Sequence, residues 1–395
     1  MAAATISRWA RRFLVIGVAF LTVAQIVGLA GAPRSVEVIL GLYGFVLSVV
    51  FGKAYSLLPS YFDRTLAVPR APAWHLPIHT LGVLALAGAA WPGTPTMFET
   101  AGRVLWSVGV VIFAVSIALT IRSNPLGLET GTSGANASRA GLDRIANLFM
   151  PAAPAYLLIG TLVGLAAQTG LSPPLDGSSV RVHHLLAAGF ALLLLFSVGY
   201  RLLPRFLVAQ VPRSLAIITL PAGALGPALL AIGYPSGPLF AAGAILESVA
   251  IASFAIAYGW LFVATDRDRI GFYGPLGGVI AGLFGIGLGL HFALVGFEAS
   301  LILSHVRLNV FGLLGLSIIG IIFQFYPPAV SNWPVSGDHL AGASLAVYAS
   351  GVGILAAGPP IDGRLSIVGH ILAFSAALTV GYCLIGTIRA QTAGR

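Results

Sequence analysis

Charged residues are scarce in this chain of 395 residues: only 8% are Asp, Glu, Lys or Arg, whereas 57% are hydrophobic. A soluble domain of this length carries a much larger charged fraction, so the composition excludes a soluble protein. Stretches of about 20 apolar residues, the length that a helix needs to cross a bilayer, recur along the whole chain. The composition therefore predicts an all-α polytopic membrane protein.

Cysteine is almost absent as well. The single Cys383 excludes an internal disulfide and the Cys-x-x-Cys-His attachment of a c-type haem. The formal net charge of +9 would suit a nucleic-acid partner, but the basic residues fall in short loops between the apolar stretches. That distribution is typical of membrane orientation, so we expect no nucleic-acid partner.

Twelve transmembrane helices fit the apolar stretches. The first could be a secretory signal, because Arg11 and Arg12 precede it, but its long apolar run and the repeat described below favour a retained helix. With the N-terminus inside, 16 of the 21 Lys and Arg residues lie in inner segments, and the five outer ones are Arg34, Arg103, Arg181, Arg307 and Arg364. This asymmetry predicts a protein of the cell membrane with both termini in the cytoplasm. We expect the helices to begin near Arg12, Val36, His75, Met97, Ala146, Val182, Ser214, Ser236, Pro275, Ser304, Leu340 and Leu365.

An internal repeat organises the chain. The predicted second, sixth and tenth helices each have a glycine 15 residues before a proline and an aromatic residue four before it. These triplets are Gly44, Tyr55 and Pro59; Gly189, Tyr200 and Pro204; Gly312, Phe323 and Pro327. We interpret the chain as one membrane domain, 1–395, made of three pseudo-symmetric four-helix units at approximately 1–135, 136–270 and 271–395. The polar stretch from Arg122 to Ile145 reads as a flexible linker between the first two units.

The tenth predicted helix carries the most specific pattern. His305-Val306-Arg307 lies at its start, with Gly320 and Pro327 at its end and His305 22 residues before the proline. In helix number, repeat and this pattern the chain resembles subunit I of the haem–copper oxidases, whose tenth helix carries His-x-His at this place. It is also similar to smaller oxidase-subunit-I-like proteins and to membrane haem proteins of the nitric oxide response. The resemblance implies that His305 binds a haem.

The departures from that family are informative. The family's second histidine, which binds the low-spin haem, is replaced by Arg307, and a guanidinium offers no lone pair. Its partner on the second helix is also missing, since Val36 and Glu37 occupy that place. His183 or His184 could supply the copper ligand of the sixth helix, but the seventh predicted helix contains no histidine. We therefore expect neither a copper site nor a proton-pumping terminal oxidase.

A layer of histidines is expected at similar depth in the outer half of the membrane. Neutral imidazoles can bind haem iron or another metal, and an ionisable residue inside a span usually marks function. Alternatively, some of these side chains lie at the water interface, where placing a polar imidazole costs little free energy. The residues are His183, His184, His291, His305 and His370.

Two arginines could accompany a haem. Arg307 could bind a haem propionate, because a guanidinium suits bidentate carboxylate recognition. Alternatively, Arg307 pairs with Glu37 or Glu298, or extends to the surface. Arg364 lies where the family has propionate-binding arginines, but it could equally be an ordinary loop charge.

Other polar residues favour structural roles. His75 and His79 are four residues apart, a metal-binding spacing, but no third ligand is evident, so we expect a pair at the inner interface. Glu247 is expected to be the most buried carboxylate, as a proton-relay group or a neutral acid. The amides that should bond to one another or to backbone across helices are Gln25, Asn309 and Gln324. The glycine-dense ninth helix indicates close packing.

The leading hypothesis is a membrane protein with one b-type haem in the outer half. His305 would be one axial ligand, and His183 or His184 the other. The role would be electron transfer, or the sensing or handling of a small gas such as NO or O₂, with a redox partner protein or an oxidase-type subunit. One alternative is a transporter or assembly factor that kept the scaffold without a cofactor. Another is an oxidase-like or nitric oxide reductase-like oxidoreductase that works with a partner subunit.

Overall fold

The computed structural model describes residues 2–169 and 175–393 of the chain, and the described part is all-helical, with twelve long helices and no strand. Short 3₁₀ turns lie at Gly134–Arg139, Ile270–Phe272 and Pro328–Val330. The long helices are α1 (Ala2–Leu29), α2 (Arg34–Tyr61), α3 (Ala71–Ala89), α4 (Thr96–Ile121), α5 (Ala140–Phe149 and Ala152–Thr169), α6 (Ser179–Phe206), α7 (Arg213–Gly233), α8 (Pro238–Ala264), α9 (Tyr273–Leu294), α10 (Ala299–Arg307, Leu308–Leu316 and Ser317–Phe325), α11 (Asp338–Ile361) and α12 (Leu365–Ala393).

The predicted helix positions agree with the structure to within a few residues, with one main exception. Helix α1 begins at Ala2 rather than near Arg12, so Arg11 and Arg12 belong to its first turns instead of preceding it. Eleven of the twelve long helices among the described residues are long and apolar enough to cross a membrane. The twelfth, α3, is shorter and contains two histidines and two prolines, which lower its mean hydropathy.

Nine helices surround the other three. The hairpins α3–α4, α7–α8 and α11–α12 alternate with α1, α5 and α9 in a ring: α1 contacts α12 and α3, α5 contacts α4 and α7, and α9 contacts α8 and α11. Inside it lie α2, α6 and α10, whose most apolar stretches are 83%, 78% and 78% buried, against 33% to 50% in the other eight candidate spans. The ring helices expose large apolar side chains such as Leu81, Val111 and Phe284, as a surface in contact with lipid does.

The three inner helices share a backbone irregularity. Each contains a π-helical segment of eight or nine residues: Ile39–Val46 in α2, Leu185–Leu192 in α6 and Leu308–Leu316 in α10. Such segments are rare and frequently lie at functional sites. Each one follows, within a few residues, the polar side chains that the sequence singled out near the start of its helix.

The first part of α1 and the last part of α12 lie on one face of the helix bundle, because the Arg11 guanidinium in α1 donates to the Thr392 hydroxyl near the end of α12 at 3.2 Å. We refer to this side as the terminal face and to the opposite side as the far face. Helices α2, α4, α6, α10 and α12 begin at the far face, so the residues near their starts share one depth in the bundle.

Close packing of α9 against α10 explains the glycine density of α9. A Cβ atom on Gly274 would lie 2.5 Å from the Cα of Gly320, and one on Gly278 would lie 2.4 Å from the Ser317 hydroxyl. A side chain at either glycine would force the two helices apart. The predicted packing role of these glycines is therefore confirmed.

The segment expected to be a flexible linker is instead bonded to the terminal face. Asn124 donates to the backbone carbonyl of Phe62 at 3.0 Å, and the buried Arg201 of α6 donates to the carbonyl of Thr130 at 2.9 Å. Arg64 forms an ion pair with Glu129 at 2.7 Å, and this hydrogen bond holds the pKa of the Glu129 carboxyl below its usual value. The glycine and serine content misled the prediction because it carries no information about partners on other helices.

Candidate functional site

Arg307 in α10 forms a buried ion pair with Glu37 in α2. Its Nε donates to Glu37 Oε1 at 2.9 Å and its Nη2 donates to Oε2 at 3.1 Å, and each residue is 4% exposed. This two-point geometry is the strong form of a guanidinium–carboxylate contact. Of the alternatives that the sequence left open for Arg307, the structure favours the pair with Glu37, whereas Glu298 is exposed at the start of α10.

The ion pair continues into a polar network that reaches α12 and α1. Arg307 Nη2 donates to His370 Nε2 at 3.3 Å, and since a guanidinium can only donate, that nitrogen accepts. The other ring nitrogen, Nδ1, therefore carries the proton and donates to Gln25 Oε1 at 2.9 Å. Both nitrogens of His370 are engaged, so in this arrangement His370 has no free lone pair for a metal. Gln25 bonds to this imidazole rather than to another amide.

Arg307 and Ser304 also compensate for two prolines at the end of α11. In an α-helix the carbonyls of Leu355 and Ala356 would accept from the N–H groups four residues later, but Pro359 and the proline that follows it have none. Arg307 Nη1 donates to Leu355 O at 2.7 Å, and the Ser304 hydroxyl donates to Ala356 O at 2.6 Å. A prolyl–prolyl pair inside a span is thus a sequence signal for donors on a neighbouring helix.

His305 and His184 face each other across the α6–α10 interface. Their ring centres lie 6.5 Å apart with an angle of 26° between the ring planes. Nδ1 of His305 is hydrogen-bonded to the carbonyl of Gly285 at 2.9 Å, and Nδ1 of His184 to the carbonyl of Val180 at 2.8 Å. A carbonyl only accepts, so each Nδ1 carries the proton and each Nε2 keeps its lone pair. This is the second-shell pattern of metal-binding imidazoles.

His183 points elsewhere, although it is the neighbour of His184 in the chain. Its ring packs edge-on against Tyr43 of α2, with 5.8 Å between ring centres and an angle of 84°. The sequence could not decide which of the two histidines accompanies His305. The structure brings His184 to His305 and turns His183 toward the α2–α6 interface.

A cavity of about 230 Å³ lies beside His183, in the far half between α2, α3, α4, α5 and α6. Tyr43 and Trp106 form an aromatic wall, with 4.7 Å between ring centres. Arg103 and Thr161 add polar groups to the lining. The sequence did not single out these wall residues. Arg103 was counted only as an outer charge.

The remaining candidates of the far half stay apart. His291 lies beside Phe292 late in α9, with 6.0 Å between ring centres. Arg364 is exposed in the turn between α11 and α12. The expected layer of five histidines is thus divided among separate places. No group of three or more His, Cys, Asp or Glu side chains suited to a metal ion is found in residues 2–169 and 175–393.

His75 and His79 are fully buried, which corrects the expected interfacial pair. They are 0% and 1% exposed and are packed among aromatic rings that include Phe13 and Phe51. His75 Nδ1 is hydrogen-bonded to the Tyr55 hydroxyl at 3.2 Å, and His79 Nε2 is bonded to Ser48 of α2 at 2.9 Å. The second nitrogen of each ring has no hydrogen-bond partner among the described residues.

Glu247 is not the most buried carboxylate, contrary to expectation. It is 7% exposed, whereas Glu37 is 4% and Asp143 0% exposed. Asp143 lies near the terminal face, where Arg205 donates to it at 2.6 Å. Its burial was hidden from the sequence because Asp143 stands in the polar stretch read as a linker.

Among the described residues of the far half, the pair of His184 and His305 has donor atoms suited to iron. The pair of Arg307 and Glu37 does not. His184 and His305 each present an imidazole nitrogen with a free lone pair, the donor that haem iron takes from proteins. Arg307 and Glu37, at the place where the resemblance implies a second haem, satisfy each other. A guanidinium has no lone pair for iron, so these residues do not fit a low-spin haem.

Comparison with known proteins adds no family to this description: no protein-family model matches the chain, and no curated protein is similar to it in sequence.

Proposed function

We propose that this membrane protein binds one b-type haem through His184 and His305 and serves in electron transfer or in the handling of a small gas. The single observation that carries the proposal is the pair of facing imidazoles, each with its Nδ1 bonded to a backbone carbonyl. We also propose that the protein is related to subunit I of the haem–copper oxidases, which it resembles. We place it in the cell membrane with both termini in the cytoplasm.

The spacing of the two rings supports a shared metal. An imidazole nitrogen binds a metal ion at about 2.0–2.1 Å, and the ring centre lies about 1.1 Å behind it, so two imidazoles on opposite sides of one ion have centres about 6.3 Å apart. The centres of the His184 and His305 rings are 6.5 Å apart. The haem would supply a one-electron redox couple at this place, and the chain would supply the axial nitrogens and a water-poor setting.

The same pair supports the proposed threefold repeat. Counted back from Pro59, Pro204 and Pro327, positions −22 and −20 of the inner helices are Glu37 and Ile39 in α2, Val182 and His184 in α6, and His305 and Arg307 in α10. Position −22 of α10 meets position −20 of α6 in the histidine pair. Position −22 of α2 meets position −20 of α10 in the ion pair. Two inter-unit interfaces therefore follow one pairing rule, with different chemistry at each.

If both His184 and His305 held the haem iron, the haem would supply a one-electron couple suited to an electron carrier with a redox partner protein. Binding of NO or O₂ would require one histidine to leave. His184 is the candidate, because its Nδ1 is held only by a carbonyl four residues earlier in its own helix. His305 is held by the carbonyl of Gly285 on the neighbouring α9.

A second candidate is a transporter or assembly factor without a cofactor. The observation that favours it is the Arg307–Glu37 pair, which occupies the place of a second haem with groups that satisfy each other. On this alternative, the histidine pair would be a polar contact between α6 and α10.

The test is haem binding by the purified full-length protein from haem-supplied cells. A pyridine haemochrome assay and a reduced-minus-oxidised absorption spectrum would be recorded for the wild type and for His184→Ala and His305→Ala. His183→Ala is the matched control, since it removes the neighbouring imidazole of the same helix without touching the pair. We expect about one haem b in the wild type and the control, and loss of most haem or of its bis-imidazole spectrum in the two test variants. A wild type without haem, under conditions that load a control haem protein, would leave the cofactor-free alternative.

A further inference from the structure

The third inter-unit interface, between α6 and α2, follows the same pairing rule but is not closed by its side chains. The rule places Val182, at position −22 of α6, opposite Ile39, at position −20 of α2, and both line the cavity of about 230 Å³. Ions or imidazoles bridge the other two interfaces. Here the two aliphatic side chains and the neighbouring Gly160 and Gly164 leave space between the units.

Three polar side chains line this cavity with groups that no described residue satisfies. Tyr43 is 7% exposed, and its hydroxyl makes no hydrogen bond with residues 2–169 or 175–393. The ring nitrogens of His183 likewise have no hydrogen-bond partner in that part of the chain. The Arg103 Nε and Nη2 both donate to Glu99 Oε1, at 3.0 and 2.8 Å, which leaves Nη1 without an acceptor there.

Gly164 of α5 lies next to the Arg103 guanidinium and leaves room for it. A Cβ atom on Gly164 of α5 would lie 3.0 Å from Arg103 Nη1, so a larger residue at this position would crowd the guanidinium in the cavity. The side chain of Arg103 is only 29% exposed.

The charges of Arg103 and Glu99 in the lining offset each other, so the attraction for an anion comes from Arg34 nearby and from the starts of two helices. Arg34 and Arg103 both lie close enough to His183 to act on it electrostatically, and Glu99 is the one acidic residue in the lining. Helices α2 and α6 both begin at the far face beside the cavity, where Ser35 and Ser179 contribute to its lining. The positive ends of their dipoles add to the attraction.

We propose that this cavity binds a small oxyanion, a monocarboxylate or an inorganic oxyanion, through Arg103 Nη1, the Tyr43 hydroxyl and His183. All three side chains can donate to an anionic oxygen, and charge-assisted hydrogen bonds of this kind are the strong ones. The cavity volume of about 230 Å³ suits a small molecule.

The inference does not depend on haem. Neither His184 nor His305 lines the cavity or is one of its three donors. Haem content measured in the same samples therefore separates the two proposals, because loss of the oxyanion site leaves the histidine pair intact.

The experiment is isothermal titration calorimetry of the purified full-length protein with acetate, benzoate, nitrate and phosphate. Chloride, titrated at the same ionic strength, is the reference anion. The variants are Tyr43→Phe, which removes one oxygen and keeps the ring, and Arg103→Gln. The control is Tyr273→Phe, which removes the hydroxyl of an exposed tyrosine at the start of α9. We expect binding of at least one carboxylate or inorganic oxyanion, weakened about tenfold to a hundredfold by Tyr43→Phe and abolished by Arg103→Gln, with the control and the haem content unchanged.

The four anions identify the source of the oxyanion. Binding of acetate or benzoate alone assigns a carboxylate, and binding of nitrate or phosphate alone assigns an inorganic oxyanion. The proposal is overturned if none of the four binds more tightly than chloride. It is also overturned if both variants bind as the wild type does, because the anion would then bind elsewhere.

Discussion

The buried Arg307–Glu37 pair gives the sharpest prediction about stability. We consider three variants: Arg307→Met, Glu37→Met and the double variant with both changes. Methionine keeps an unbranched chain of similar length and removes the charge. Each single change leaves the opposite charge 4% exposed and without its partner, among side chains of the bundle interior.

The contacts set the expected magnitudes. Removing one partner of a buried ion pair costs about 3–5 kcal/mol, because the other charge stays buried. Arg307→Met additionally leaves the Leu355 carbonyl without a donor, since Pro359 offers it no N–H. In the double variant no buried charge remains at the site. The main losses are then the donors to that carbonyl and to His370 Nε2, about 1–3 kcal/mol each, so the double variant should lose less stability than the two single variants lose together.

The assay is unfolding of the purified protein in mixed micelles by titration with SDS, followed by circular dichroism. Arg364→Met, a change of an exposed loop arginine, is the control and should alter the free energy of unfolding by less than about 0.5 kcal/mol. If the losses of the two single variants add up in the double variant, the residues are not coupled. The account of a self-satisfied ion pair would then be refuted.

Two further predictions concern helix packing in the same assay. Ser304→Ala should lower the free energy of unfolding by about 1–3 kcal/mol, because it leaves the carbonyl of Ala356 unpaired. In a Pro360→Ala background the N–H restored at position 360 can bond to that carbonyl, so most of this loss should disappear. An equal loss in both backgrounds would contradict the role given to the Ser304 hydroxyl. Gly274→Ala should cost about 1–3 kcal/mol or more, since its Cβ would meet the backbone of α10. Gly287→Ala on the same helix has nothing within 4 Å of its Cβ and should be neutral or slightly stabilising; similar losses in the two glycine variants would refute the close α9–α10 contact.

The sequence by itself determined the class of the protein and the approximate positions of its helices. A helix that crosses a bilayer must be apolar over about 20 residues, so the hydropathy along the sequence shows where the transmembrane helices lie. The same reasoning placed His305, Arg307 and the two histidines of α6 at one depth. It also found the positions at which the inner helices later proved to contain π-helical segments.

Only the tertiary structure decided what each of these side chains meets. His183 and His184 are neighbours in the chain, yet one faces a cavity and the other faces His305. The partner of Arg307 lies 270 residues away in the chain, and no local pattern favoured it over the other acid considered.

The physical reason is that periodicity reports which face of a helix is apolar, whereas partners depend on how separate helices pack. Burying a polar group costs free energy unless it finds a hydrogen-bond partner, and that partner can come from another helix, as Ser48 does for His79. Because such partners lie on other helices, the local sequence did not reveal that His75 and His79 are buried. For the same reason it did not reveal the hydrogen bonds that hold the stretch from Arg122 to Ile145 to the terminal face. Composition and spacing set the scaffold, and helix packing alone decided which polar groups satisfy each other and which remain free to bind a ligand.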